Sequence, residues 1–269
     1  MQLHNLNGHI QSIYLVEYPD KLMLLDGCCR ADCELVARFI TQELRRPLSD
    51  LKLIMVTHMH PDHAGGAHKL RRMTGAKIAT SNAPGHWYQG FDGIMMHITD
   101  ILLAHWVASR KGKKQAFMWY PRKLKADIYL PDGVSIPDFD EWQVHHSPGH
   151  TDRDICLHHI PNNMIYVADL MVNVKGKLIP PFPVFYPKRY LNSLLMLKTL
   201  KPTSVLLAHD GKINFADIDF NYLLKKAPSI PMTHWRSVKS KLKQITKKLI
   251  VLYDNDKTGV EQSEKLAKQ

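Results

Sequence analysis

The sequence predicts an α/β architecture in which helices pack on β-sheets, and three features predict it. Short apolar runs of strand length recur along the chain. Stretches with apolar residues three and four positions apart lie between them, and strand, helix and strand alternate in both halves. With 269 residues, 45% of them hydrophobic, the chain can bury one substantial core, and no internal repeat or low-complexity linker divides it.

The elements follow in order. "SIYLVEY" and "KLMLLDG", separated by the Pro19-Asp20 turn, read as a strand hairpin. Leu35, Val36, Phe39, Ile40 and Leu44 mark a helix that ends before Pro47. "LKLIMV" is a buried strand, "HAGGAHKLRRMTG" a helix closed by Gly75, and "KIATS" the next strand. Gly93 to Val107 is helical and apolar around most of its circumference, so it is buried or covers something apolar. "EWQVHHS", "DICLHHI" and "NMIYVAD" are strands, "RYLNSLLMLKTL" is a helix, and "SVLLAHD" is a further strand. Near the end, Trp235, Val238, Leu242, Ile245, Leu249 and Leu252 form one apolar stripe, with Arg236, Lys239, Lys241, Lys243, Lys247 and Lys248 off it. Docking on the protein's own core is the leading reading of that helix; a membrane surface or a second copy of the chain, giving a homodimer, are the alternatives.

Composition narrows the function. Lys and Arg outnumber Asp and Glu by 11, which leaves anionic substrates, nucleic acid or a membrane surface open. Cys28, Cys29, Cys33 and Cys156 form no CxxC pair, so neither a disulfide framework nor a Cys-rich zinc knuckle is supported. The N-terminus lacks a basic segment followed by an apolar run, and nowhere do 18 apolar residues follow one another. A cytoplasmic location without a transmembrane segment is expected.

The chemistry concentrates in "VTHMHPDHAGG", where His58, His60, Asp62 and His63 fall within six positions. His58 and His60, two apart at a strand end, leave the same face and can meet one ion. Asp62 and His63 occupy the turn into the next helix, where they can serve a neighbouring position. Gly65 and Gly66 let that helix approach its loop closely. Imidazole and carboxylate suit zinc, and also iron or manganese. Further candidate ligands stand where apolar runs end: His150 in "SPGHTDRD", Asp169 in "IYVADLM" and His209 in "VLLAHDG".

With these residues in view, the chain resembles a metallo-β-lactamase-fold hydrolase. His58-x-His60-x-Asp62-His63, His150, Asp169 and His209 match that superfamily's ligand motifs in order, and Asp26 in "LLDG" matches its early structural aspartate. The resemblance spans about Ile10 to Gly211. It implies an αββα four-layer sandwich of two mixed sheets flanked by helices, over residues 1–230, with a helical insertion at about 84–125. Residues 231–269 then form the basic amphipathic helix and tail. It implies that His58, His60 and His150 bind one divalent ion, that Asp62, His63 and His209 bind a second, and that Asp169 bridges them. A bridging hydroxide would attack an electrophilic carbonyl or phosphorus. Asp62 would also orient this nucleophile, and Tyr190, Tyr186 or a metal-bound water would supply the leaving-group proton.

Departures within the superfamily rank the substrates. Asp169 disfavours β-lactam hydrolysis. "ADLMVNVKGKLIPPF" lacks the glycine- and cysteine-bearing stretch of hydroxyacylglutathione hydrolases, which weakens that thioester reading and the related iron persulfide dioxygenase. "HPDHAGG", "SPGHT" and the "HD" at His209 resemble lactonases, and the apolar Gly93 to Val107 helix can line an acyl pocket or simply pack in the core. The expectation is a binuclear hydrolase, zinc-dependent, acting on a small-molecule lactone or thioester. A phosphodiesterase or nuclease of the same fold is the alternative, supported by the basic charge but not by any recognisable RNA-binding module. The adjacent pairs His145/His146 and His158/His159 are expected to be structural, with one member of each facing outward.

Overall fold

Alternation along the strands builds the molecule. Leu53 and Met55 point to one side of their strand and Ile54 and Val56 to the other, and each pair joins a different core. The computed structural model describes residues 1–232; the expected basic stripe from Trp235 to Leu252 lies outside the described residues.

The first sheet holds β1 (Gln2–Asn7), β2 (Ser12–Glu17), β3 (Leu22–Leu24), β4 (Leu51–Val56), β5 (Lys77–Ser81) and β6 (Ile128–Leu130), side by side in chain order. The first three strands pair antiparallel and the last four parallel. Helices make the crossovers that parallel neighbours require. They are α1 (Cys33–Arg38), α2 (Pro61–Ala64), α3 (Ala67–Thr74) and α4 (Gly90–Arg110). The second half contributes β7 (Ser135–Ile136), β8 (Phe139–His146), β9 (Ile155–His159), β10 (Met164–Tyr166), β11 (Val172–Val174), β12 (Lys177–Ile179), α5 (Pro187–Leu200), β13 (Ser204–Leu207), β14 (Gly211–Asn214) and α6 (Phe220–Lys226). The second sheet runs β14-β13-β10-β9-β8-β7, with β10 and β13 parallel and the other pairs antiparallel; β11 and β12 form a small ribbon.

Both sheets are therefore mixed, and they face each other. Tyr14, Val16, Met23, Leu53 and Met55 of the first sheet share one core with Trp142, Val144, Leu157, Met164 and Tyr166 of the second. On the outer side of the first sheet, Leu15, Leu24, Ile54 and Val56 pack with Val36 of α1 and Leu70 of α3. On the side of the second sheet, α5 is tied down by Ser193, whose hydroxyl donates to the Pro148 carbonyl at 2.9 Å. The αββα sandwich is present.

Some expectations need correction. The helix expected from Gly93 to Val107 runs from Gly90 to Arg110, and among the described residues it buries one side, at His97, Asp100, Ile101, Ala104 and Ala108, while Leu102 and Trp106 remain exposed. The pair His158/His159 does not place one ring outward: both are buried, because β9 is an interior strand covered on both faces, and His158 pairs with Asn163 Oδ1 at 2.9 Å. Strand β1 exists through its six-residue pairing with β2, a contact that no local pattern announces. Cys28, Cys29 and Cys33 are buried and unpaired, as small core residues.

Two buried side chains give measurable consequences. Trp142 is fully buried between the sheets, so Trp142→Ala is expected to cost about 3–5 kcal/mol in urea unfolding. Asp32 is buried, accepts from the His9 amide at 2.8 Å, and burial pushes its carboxyl up to about 6. The folded state thus holds this proton more tightly than the unfolded chain, and the group's contribution to stability falls as pH rises from about 4 through about 6. Asp32→Asn should therefore gain relative to the parent by up to about 3 kcal/mol between pH 4 and pH 8 in denaturant titrations.

Candidate metal centre

The strand ends that the fold brings to one edge of the sandwich carry the reactive side chains. Asp26, just past β3, is the anchor. Its Oδ2 accepts from Thr57 Oγ1 at 2.7 Å, His63 Nδ1 at 2.6 Å and Tyr166 OH at 3.0 Å, while Oδ1 accepts from the Thr57 amide at 3.1 Å. One buried carboxylate thereby joins the ends of β3, β4 and β10 to α2. His60 is extended before Pro61, as a residue preceding proline prefers, and its carbonyl caps the start of α2. Gly66 lets that corner close: a Cβ there would meet the Gly27 carbonyl oxygen at 2.7 Å.

The second sheet delivers the remaining groups. In the β8–β9 turn, the buried Asp154 accepts from the Thr151 amide and hydroxyl, both at 2.6 Å, and from the Gly149 amide at 3.1 Å, which shapes the loop bearing His150. His150 Nδ1 donates to the Pro183 carbonyl at 2.5 Å, so Nε2 carries the lone pair. Asp169 follows β10 in a tight turn whose preceding residue, Ala168, has a left-handed φ of 47°. His209 follows β13.

The seven expected ligand residues converge into two groups: His58, His60, His150 and Asp169 in one, and Asp62, His63 and His209 in the other, with all offered atoms in each group within 4.8 Å of one another. In the first, His60 Nδ1 lies 3.1 Å from His58 Nε2 and 2.8 Å from His150 Nε2, and Asp169 Oδ2 lies 3.4 Å from His150 Nε2. In the second, Asp62 Oδ2 is 3.6 Å from both His63 Nε2 and His209 Nε2. Asp169 Oδ1 turns to this second group, 3.3 Å from His63 Nε2 and 3.2 Å from His209 Nε2. The two oxygens of one carboxylate thus face different groups.

Burial holds His58 and His60 as neutral imidazoles, His60 lowered to about 4 and His58 well below its ordinary value, with neighbouring histidines adding to the effect at His58. At His63 burial alone would do the same, but the carboxylates of Asp62, Asp169 and Asp26 outweigh it and raise the ring's pKa. Asp169 likewise outweighs burial at His209. In return, His63 and His209 overcome the burial of Asp169 and hold its carboxyl well below the usual range.

This donor set fits divalent ions. His63 Nε2 and Asp169 Oδ1 are buried without a hydrogen bond of acceptable geometry, despite lying 3.3 Å apart. Three imidazole nitrogens crowd one point in the first group. Unpartnered buried polar atoms are costly, and nitrogen and carboxylate donors converging from separate elements are what a cation such as zinc satisfies.

Tyr190 does not stand where a proton donor would. It is fully buried, its hydroxyl donates to the Leu170 carbonyl at 2.9 Å, and burial raises its pKa. It braces the turn that presents Asp169. Tyr186 is more exposed, with the Arg189 guanidinium 5.2 Å from its ring centroid. Thr57, Tyr166, Asp154 and the Pro183 carbonyl support the ligands without having been visible as a motif. The signal was faint: Thr57 stands between a strand and His58, and Asp154 closes "SPGHTDRD".

Comparisons with known proteins place these features in context. The family model of the metallo-beta-lactamase superfamily matches residues 6–209. A relative in Bacillus subtilis (strain 168), the probable metallo-hydrolase YflN, is 22% identical over 228 residues, covering 77% of this chain and 83% of its own length. Among solved structures, the metallo-beta-lactamase superfamily protein ST1585 from Sulfolobus tokodaii is similar with a TM-score of 0.58 and 19% identity, covering 83% of this chain and 84% of its own. The metallo-beta-lactamase family protein TTHA1429 from Thermus thermophilus is similar with a TM-score of 0.60 and 18% identity, covering 94% and 83% respectively.

Asp26→Asn keeps the size of the anchor but removes its charge and one acceptor. If the cluster holds a divalent ion, its affinity measured by chelator competition is expected to fall about 10–100-fold, the usual effect of a change behind a metal-ligating histidine.

Proposed function

Because the chain belongs to the metallo-beta-lactamase superfamily, we propose that it is a hydrolase using two divalent ions, zinc ahead of iron or manganese, to cleave a lactone or thioester bond of a small molecule. The observation that carries this reading is the split of Asp169, one oxygen toward each group of converging donors. When bound, two such ions activate water at neutral pH and stabilise negative charge on the oxygen of the attacked carbonyl.

The protein's own part is to hold and orient. His58, His60 and His150 would hold one ion and His63 and His209 the other, with Asp169 offering one oxygen to each group. Asp62 would complete the second group, and its carboxylate would orient the attacking water. The side chains of Asp62, Asp169 and His209 are 13%, 12% and 19% exposed, whereas His58 and His63 are fully covered, so substrate would approach from the side where the two carboxylates and His209 open to solvent. A phosphodiester substrate is the second reading, favoured by the net charge of +11. The four buried, unpaired cysteines support a reducing, cytoplasmic setting. Among the described residues, no helix is long and apolar enough to cross a membrane.

The test joins metal content to turnover. Elemental analysis is expected to find about two zinc per chain, and stripping with a chelator should abolish hydrolysis of an aliphatic lactone or thioester until zinc is restored. Asp62→Ala should lower kcat by about 100-fold or more. Turnover of bis(p-nitrophenyl) phosphate alone, with both ions loaded, would replace the carbonyl reading by the phosphodiester one, and a single iron would overturn hydrolysis.

A further inference from the structure

Besides Asp26 and Asp154, a further buried carboxylate beside the cluster belongs to neither ligand group. Asp100 lies in the middle of α4, the sole Asp, Glu, Lys or Arg between Gly93 and Val107. Its Oδ2 is 3.7 Å from His60 Nε2 and accepts from Tyr88 OH at 2.8 Å. Tyr88 OH is 3.1 Å from Tyr120 OH, and both tyrosines also reach the Met59 carbonyl, next to His60 in the chain. The carboxylate is thereby built into the same buried network that fixes the backbone before His60.

The tautomer of His60 gives this arrangement a purpose. His60 turns Nδ1 toward His58 and His150. For Nδ1 to offer a lone pair to a cation, the ring proton must sit on Nε2. That nitrogen is buried and makes no hydrogen bond, and Asp100 Oδ2 faces it. Closing the gap to about 3 Å makes a charge-assisted bond.

We propose that Asp100 is a positioning residue for the first ion, holding His60 in the Nε2–H tautomer and fixing its ring plane. The inference rests on the reading of the cluster as a metal centre. His63 is held in this way by Asp26, His150 by the Pro183 carbonyl and His58 by Thr57, all parts of the sandwich or its edge loops. His60 alone among these takes its support from α4, the helix between β5 and β6. The grip on the first ion is therefore coupled to the placement of that helix, and a change in α4 would be felt at the metal without touching a ligand.

The experiment compares wild type, Asp100→Asn, which keeps an acceptor oxygen, and Asp100→Ala, which does not. Zinc affinities come from chelator competition, and the coordination sphere from the visible absorption of the cobalt(II)-loaded proteins. Asp100→Ala is expected to weaken one of the two ions about 10–100-fold and to shift the cobalt bands, with the other ion little changed and Asp100→Asn recovering much of the loss. Unchanged affinities and bands in Asp100→Ala overturn the inference, as does an equal loss of both ions in both variants. Wild type that takes up no ion overturns the metal reading and the inference with it. Should Asp100→Ala fail to fold, nitrogen-15 histidine spectra of zinc-loaded wild type and Asp100→Asn decide: the His60 Nε2–H proton should resonate downfield in wild type and move upfield in the variant, and no difference overturns the inference.

Discussion

The carboxylate of Asp26 is the constraint on which the rest depends. Taking a charge out of water costs several kcal/mol, and removing one partner from such a network is more costly than forming it is favourable. Asp26 answers that cost with donors from Thr57, His63 and Tyr166, each on a different segment. Each donor is held in return. Strand ends are thereby fixed at one edge, with the His63 ring held through its Nδ1.

The frame then has to hold groups that repel one another. Imidazole nitrogens that face each other at 2.8 and 3.1 Å do not stabilise a fold by themselves. Their close approach is sustained by the sheet core on one side and by side-chain braces on the other: Tyr190 behind the Asp169 turn, Asp154 within the His150 loop and Thr57 behind His58. Those braces keep the donors oriented, which would limit the reorganisation left for binding an ion.

Helix α4 links two roles. Its inward face carries His97, Asp100 and Ile101 against the tyrosine network, and its outward face leaves Leu102 and Trp106 exposed. A segment inserted between two parallel strands is free to vary in length without disturbing the sheet. Here it is nevertheless tied to the cluster through one charged residue.

The local parts were legible along the chain. Strands β4 and β5 stand at "LKLIMV" and "KIATS" because short segments of strand length rich in buried apolar or β-branched residues have one stable use in an α/β core. The seven donors could be read because histidine and aspartate at strand ends, spaced for one face and followed by turn residues, have few structural explanations. Which distant groups meet was left to the folded chain: the pairing of β1 with β2, the burial of both His158 and His159, the hydroxyl of Tyr190 turned to Leu170 rather than to the cluster, and Asp100 brought to His60. Spacing along a chain fixes side-chain direction within one element, since backbone geometry is periodic. Distances between elements are set by strand register and sheet packing, which depend on all the buried contacts at once.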